Sequence, residues 1–177
     1  MGLYRDSWSD PEVRWLLSTV PSAMIFDDHD VRDDWNTSAA WREQMAATPW
    51  WHERIVGAYM SYWLYQHVGN VSPAVLAADG LLERVRTRGA GELRAFARWA
   101  DEEVDGRKKS MWSYVRDLGS TRMVVVDSRS GRVLEQGRRA MLSDQEWAGK
   151  GMVAVALVLP VFWLYIERRR VTAFLAS

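Results

Sequence analysis

The stretch from Ser22 to Asn36, SAMIFDDHDVRDDWN, constrains this chain more than any other. An apolar run, Ala23-Met24-Ile25-Phe26, turns abruptly into Asp27-Asp28-His29-Asp30 and, two residues later, into Asp33-Asp34. The run is short and bounded by Pro21 and Ser22, so it reads as a buried strand. Acidic residues and a histidine at the carboxyl end of such a strand stand where open α/β sheets place their ligands. Five carboxylates within eight residues repel one another, and their pKa values rise unless positive charge sits among them. A divalent or trivalent cation relieves that repulsion, and Asp oxygens with a neutral imidazole suit calcium, magnesium, manganese, iron or zinc. The alternative is a solvated acidic loop with Arg32 as its internal counter-charge. An EF-hand is a poor match. Counted from Asp28, the glycine of the sharp turn is replaced by Asp33, and no glutamate closes the loop.

The motif Ile25-Phe26-Asp27-Asp28-His29-Asp30-Val31, followed by Asp33-Asp34-Trp35-Asn36, resembles that of the PhoD-like metallophosphatases, the alkaline phosphatase D group of the calcineurin-like phosphoesterases. The flanks carry the resemblance further: Ser7-Trp8-Ser9-Asp10-Pro11 and Arg14-Trp15-Leu16-Leu17 before the motif, Ser61-Tyr62-Trp63 and Gln66-His67 after it, and Asp127-Ser128-Arg129 at a later strand end. It runs from the start of the chain to about Trp147. The resemblance implies a metallophosphoesterase-type α/β fold, partly represented and helix-rich, whose short buried strands end in the acidic motif. It implies that Asp28 ligates a metal, with Asp27 beside it. It further implies that His29 approaches the phosphate and protonates the leaving oxygen, and that Asp30 orients His29. Asp33, Asp34 and Asn36 are weaker candidates. The reaction implied is metal-dependent hydrolysis of phosphate mono- or diesters, with two metals holding a hydroxide for in-line attack. Arg129 is a weak candidate for holding a phosphate oxygen. A structural ion pair between Asp127 and Arg129 at the strand terminus is the preferred role for those two residues.

Family members complete the metal site with a Gly-Asp block before this motif and a Gly-Asp-x-His block after it. No Gly-Asp pair occurs in this chain, and no histidine follows His67. The expectation is an internal fragment with an incomplete site. The competing expectation is a catalytically inactive remnant that binds a cation or serves as a protein or membrane interaction module.

Elsewhere the residues predict a helical frame. Asp10 caps a helix that begins at Pro11 and carries Val13, Leu16, Leu17 and Val20 on one face. Ser38 caps a second helix over residues 37–47. Residues 50–68 form a long aromatic helix in which Ile55, Tyr59, Tyr62, Trp63 and Gln66 recur at core spacing. Helices are expected over 76–88 and 92–104. A hairpin of 111–118 with 122–126 turns at Gly119-Ser120, its second strand buried. Ser143 and Glu146 form a capping box. His52 and His67 read as structural or exposed.

Net charge is zero, so there is no nucleic-acid footprint. The absence of cysteine excludes a disulfide framework and a thiolate nucleophile. Arg5 and Asp6 interrupt any signal-peptide core, which favours a cytoplasmic location. A partial domain spans 1–147, and 148–177 is a divergent apolar tail. The apolar run 152–166 is short for a bilayer span and holds Pro160. An abnormal or frameshifted terminus is the preferred reading, and a membrane anchor with Arg168–Arg170 on the cytoplasmic side is the other. Open sheet edges in a partial fold favour self-association.

Overall fold

The computed structural model describes residues 2–104 and 107–148, and the expectations for the apolar tail fall outside those residues. In chain order the elements are α1 (Gly2–Trp8), α2 (Pro11–Thr19), α3 (Ala39–Ala46), α4 (Trp51–Tyr62), a π-helical stretch (Trp63–His67) and α5 (Val68–Asn70). There follow α6 (Pro73–Asp79), α7 (Leu81–Arg88), α8 (Ala90–Asp101), β1 (Glu103–Val104), β2 (Arg107–Lys108), β3 (Tyr114–Leu118), β4 (Thr121–Val125) and α9 (Asp144–Ala148). The fold is helix-rich, with two separate two-stranded antiparallel ladders, β1 with β2 and β3 with β4. Among the described residues no helix is long and apolar enough to cross a membrane.

Local chemistry explains most of these boundaries. The Asp10 side chain accepts from the backbone N–H groups of Glu12 and Val13, with Pro11 in the first turn of α2. Ser38 accepts from Trp41 N–H at the start of α3, and Ser72 from Val75 N–H at the start of α6. The expected helix over 76–88 is broken at Gly80, whose φ of 69° is left-handed and ends α6 before α7 begins. The expected helix over 92–104 stops at Asp101, and Glu103–Val104 turns back as β1. The α2 stripe also splits: Val13 and Leu17 face inward, while Leu16 and Val20 stay exposed.

An aromatic layer makes the core. Ile55, Tyr59, Tyr62, Trp63 and Gln66 of α4 and its π-helical extension are buried, as the core spacing predicts, and Val56 is buried with them. Trp112 stacks on them, its ring 4.9 Å from Tyr62 and 5.9 Å from Tyr59. Leu93, Ala97 and Ala100 of α8 close the opposite side. Each aromatic pair adds about 1 kcal/mol beyond the burial of its area.

The apolar run before the acidic motif is not a strand. Residues 21–27 are extended without a sheet partner, and only Phe26 of the run is fully buried. The reason lies in Asn70. Its side-chain oxygen accepts from Met24 N–H at 3.1 Å, and its amide donates to Met24 O at 2.7 Å. One carboxamide at the end of α5 therefore occupies both backbone groups of Met24 that a neighbouring strand would take. Tyr114 of β3 joins the clamp, donating from its hydroxyl to Asn70 Oδ1 at 3.0 Å and Met24 O at 3.1 Å. Arg116 of β3 donates to Gly69 O at 2.6 Å and to Ser22 O at 3.3 Å. The β3–β4 hairpin, with its turn at Gly119-Ser120, is thereby docked onto the segment that leads into the acidic motif. Its second strand, expected to be buried, is half-buried over Met123–Val125 and exposed at its start.

Removing this clamp exposes its importance. Asn70→Ala takes three hydrogen bonds from Met24 and Tyr114, and the expected loss is roughly 2–3 kcal/mol, read as a lower urea midpoint at unchanged slope. A midpoint equal to that of the wild-type chain would mean that water replaces the carboxamide without cost.

Candidate metal centre

The acidic motif folds as a single 3-10 turn, Asp28–Asp30, closed by Val31 N–H donating to Asp28 O at 2.9 Å and Arg32 N–H to the same oxygen at 2.7 Å. Three apolar residues pin it to the core. Phe26, Val31 and Trp35 are all buried, with the Phe26 ring 4.8 Å from Tyr59, 5.0 Å from Tyr62 and 5.1 Å from Trp35. Each such anchor supplies about 2 kcal/mol by leaving water. From α4, Arg54 Nε adds a hydrogen bond of 2.6 Å to Val31 O. Asp34 and Asn36 adopt φ of 63° and 61°, left-handed values that short polar side chains tolerate.

The turn gives its four polar side chains different surroundings. Asp28 is 2% exposed. Its Oδ2 accepts from Asp34 N–H at 3.2 Å and meets Arg129 Nη2 at 2.9 Å. Its Oδ1 is buried and makes no hydrogen bond. Burial alone would raise the Asp28 pKa, but hydrogen bonding with Asp27, the Arg129 guanidinium, Asp34 N–H and His29 outweigh it and hold the carboxyl below its usual range. His29 projects into solvent. Its Nδ1 lies 3.2 Å from Asp28 Oδ1 and 3.6 Å from Asp27 Oδ2, and its Nε2 lies 3.7 Å from Asp33 Oδ1. The Asp28 charge, followed by Asp27, raises the imidazole pKa.

Asp30 turns away from His29. Its carboxylate accepts from the Tyr4 hydroxyl, from Gln66 Nε2 at 3.0 Å and from Asp27 N–H at 3.0 Å. Burial raises its pKa, and those hydrogen bonds only partly offset the effect. Tyr4 also accepts from Gln66, and its hydroxyl is pushed well above the ordinary range by burial and by Asp30. The carboxylates nearest the imidazole Nδ1 are those of Asp28 and Asp27, whereas Asp30, expected to orient His29, faces Tyr4 and Gln66.

The expected ion pair between Asp127 and Arg129 gives way to a different arrangement. The Asp127 carboxylate is fully buried and accepts from Arg129 N–H at 3.0 Å, Ser130 N–H at 2.9 Å and the Ser130 hydroxyl. It shapes a turn that aims the Arg129 side chain at the motif. There Arg129 Nε meets Asp27 Oδ1 at 3.2 Å while Nη2 meets Asp28. Asn36 fixes the same backbone by donating to Arg129 O at 2.6 Å.

Asp27, Asp28 and His29 form a group that can hold a metal ion, with one ligand atom from each lying within 4.8 Å of the others. Asp28, Asp33 and Asp34 form a second such group that shares Asp28. Hard oxygen donors with one imidazole, one donor oxygen buried and without a hydrogen bond, match the needs of a cation. His52 is exposed, and His67 packs its ring 5.0 Å from Trp112, so neither belongs to the site. A cavity of about 400 Å³ near Trp8, Leu17, Met24 and Tyr65 is lined by none of Asp27, Asp28, His29 or Arg129.

Gln66 and Asn70 were the residues that pattern reading passed over as partners of the motif. The available signal is a Gln and an Asn on an otherwise aromatic, buried helix face, since buried carboxamides must find partners. Comparison with protein-family models, curated proteins and solved structures finds no match to this chain.

Asp127 makes the turn sensitive to pH. Burial, opposed by the N–H groups of Arg129 and Ser130 and reinforced by the Glu146 carboxylate, raises its pKa to about 7. Below about pH 3 the carboxyl is protonated in folded and unfolded chains alike. As pH rises towards 7 the unfolded chain ionises first, so this residue's contribution to stability falls by on the order of 4 kcal/mol and then levels. In Asp127→Asn that fall should vanish from the difference between unfolding free energies at about pH 4.5 and 7.5, measured by urea titration against the wild-type chain. Parallel pH profiles for the two proteins would place the shift elsewhere.

Proposed function

We propose that this chain carries the acidic-motif portion of a PhoD-like metal-dependent phosphoesterase that hydrolyses phosphate mono- or diesters. The observation that carries the reading is the Asp28 carboxylate, 2% exposed, with a buried Oδ1 that makes no hydrogen bond, set between His29 and Arg129. Asp28 and Asp27 are the metal ligands in this reading, with Asp33 and Asp34 as nearby carboxylates. Calcium, iron, manganese and zinc suit the donor set. A bound cation supplies Lewis acidity towards a phosphoryl oxygen and lowers the pKa of water.

The residues of the chain provide the remainder. His29 is exposed, and Asp28 and then Asp27 raise its pKa, which favours the protonated imidazole that a departing alkoxide or phenoxide needs. Asp27 and Asp28 steady that imidazolium. Arg129 presents a planar fork of donors that fits two oxygens of a phosphoryl group. A second reading, a catalytically inactive remnant, is favoured by one observation: Arg129 already neutralises Asp27 and Asp28.

The test is hydrolysis of an aryl phosphate and a bis-aryl phosphodiester with calcium plus iron, manganese or zinc. Metal-dependent turnover should fall by about 100-fold or more in His29→Ala, the scale of a lost general acid. A folded sample inactive with every metal would leave the remnant as the correct reading.

A further inference from the structure

The phosphoesterase reading gives Arg129 two incompatible positions, and the geometry suggests how they are reconciled. In the structure its guanidinium bridges Asp27 Oδ1 at 3.2 Å and Asp28 Oδ2 at 2.9 Å, both oxygens of residues that form the metal-holding group. Two cations cannot share those carboxylates at close range without strong repulsion. Yet Asp28 Oδ1 is buried without a hydrogen bond beside them, facing only His29 Nδ1 at 3.2 Å. The acidic cluster therefore retains a donor oxygen that Arg129 does not satisfy.

The construction around Arg129 favours exchange. Its backbone is held on both sides, by Asp127 accepting from its N–H and by Asn36 donating to its carbonyl. Its side chain is 21% exposed, and the bonds that hold its backbone do not involve the guanidinium. It would leave towards other arginines. Arg132 donates to Ser128 O at 2.7 Å, and its pKa is lowered by burial and then by Arg129 and Arg139, against the opposing pull of the Asp28 and Asp27 carboxylates. Arg139 donates to Thr37 O at 3.0 Å. A guanidinium released into that company is stabilised by an anion that bridges it.

We infer that Arg129 is a built-in counter-cation of Asp27 and Asp28 which an entering metal ion displaces, freeing the same side chain to bind the phosphoryl group of an ester. The inference rests on the proposed phosphoesterase reading. Metal and phosphate then favour each other's binding, because each draws on the same movement and the coupling is reciprocal.

The experiment is manganese(II) binding to the full chain, followed by the loss of the free-ion electron paramagnetic resonance signal. It compares the wild-type chain, Arg129→Gln and Arg129→Lys, each checked for folding by circular dichroism, without and with inorganic phosphate. Arg129→Gln should bind manganese about tenfold more tightly without phosphate, equivalent to about 1.4 kcal/mol. Arg129→Lys, which keeps the charge but cannot bridge two carboxylates, should fall between. Phosphate should tighten binding in the wild-type chain more than in Arg129→Gln. Equal or weaker manganese binding by both variants, or no binding by any of the three proteins, overturns the inference. Hydrolysis is a separate readout, so absent turnover with tightened binding would count against the phosphoesterase reading alone.

Discussion

The buried Asp28 carboxylate is met by Arg129, which reaches it from about a hundred residues further along the chain. Taking a carboxylate out of water is costly, and removing the partner of such a pair destabilises by about 3–5 kcal/mol. The arrangement therefore ties the turn after β4 to the acidic motif. Asp127 forms that turn by gathering the N–H groups of Arg129 and Ser130, and Asn36, six residues past Asp30, returns the tie by donating to Arg129 O. The packing of the hairpin on Met24 and Ser22 sets the height of the turn. A local electrostatic demand thus organises contacts across most of the described chain.

The aromatic layer makes that demand sharper. Phe26, Val31 and Trp35 sink into the face formed by Tyr59 and Tyr62, and the acidic side chains lie at its edge. Apolar surroundings weaken screening, so both the repulsion among carboxylates and the attraction to a guanidinium are stronger than on an open loop. The same layer accounts for the π-helical stretch at Trp63–His67. The wider turn carries buried Gln66 to Asp30 and Tyr4 while Trp63 remains in the core. Local widening of a helix is one way to serve two faces at once.

Much of this frame was legible in residue pattern. Caps at Asp10, Ser38 and Ser143, the core stripe of α4 and the hairpin turn all lie where side-chain chemistry predicts. Such features depend on neighbours in sequence. The strand expected at Ala23–Phe26 depended instead on what lay beside it, and Asn70 took the place of a strand there. No parallel sheet occurs among the described residues, so the motif follows an extended segment rather than a strand of a sheet. At the site, the acidic cluster was legible because the residues are contiguous. The partners of Asp28 and Asp30 were not, because Arg129, Gln66 and Tyr4 arrive by long-range packing.

The 3-10 turn also explains why neighbouring acids differ in chemistry. With three residues per turn, positions three apart share a side. Asp27 and Asp30 are such a pair, and Asp30 accepts from Asp27 N–H. That contact turns Asp30 towards Tyr4 and Gln66 and leaves His29 free to point into solvent. The consequence is a division of labour within four residues. Asp30 spends its lone pairs on holding α1 and the π-helical stretch to the motif, and Asp28 spends one oxygen on Arg129. His29 keeps a ring nitrogen facing water, with its proton affinity raised by the acids behind it. A regular α-helix or a flat strand through these residues would distribute the side chains differently, so the tight turn is what separates a run of like charges into buried and solvent-facing positions.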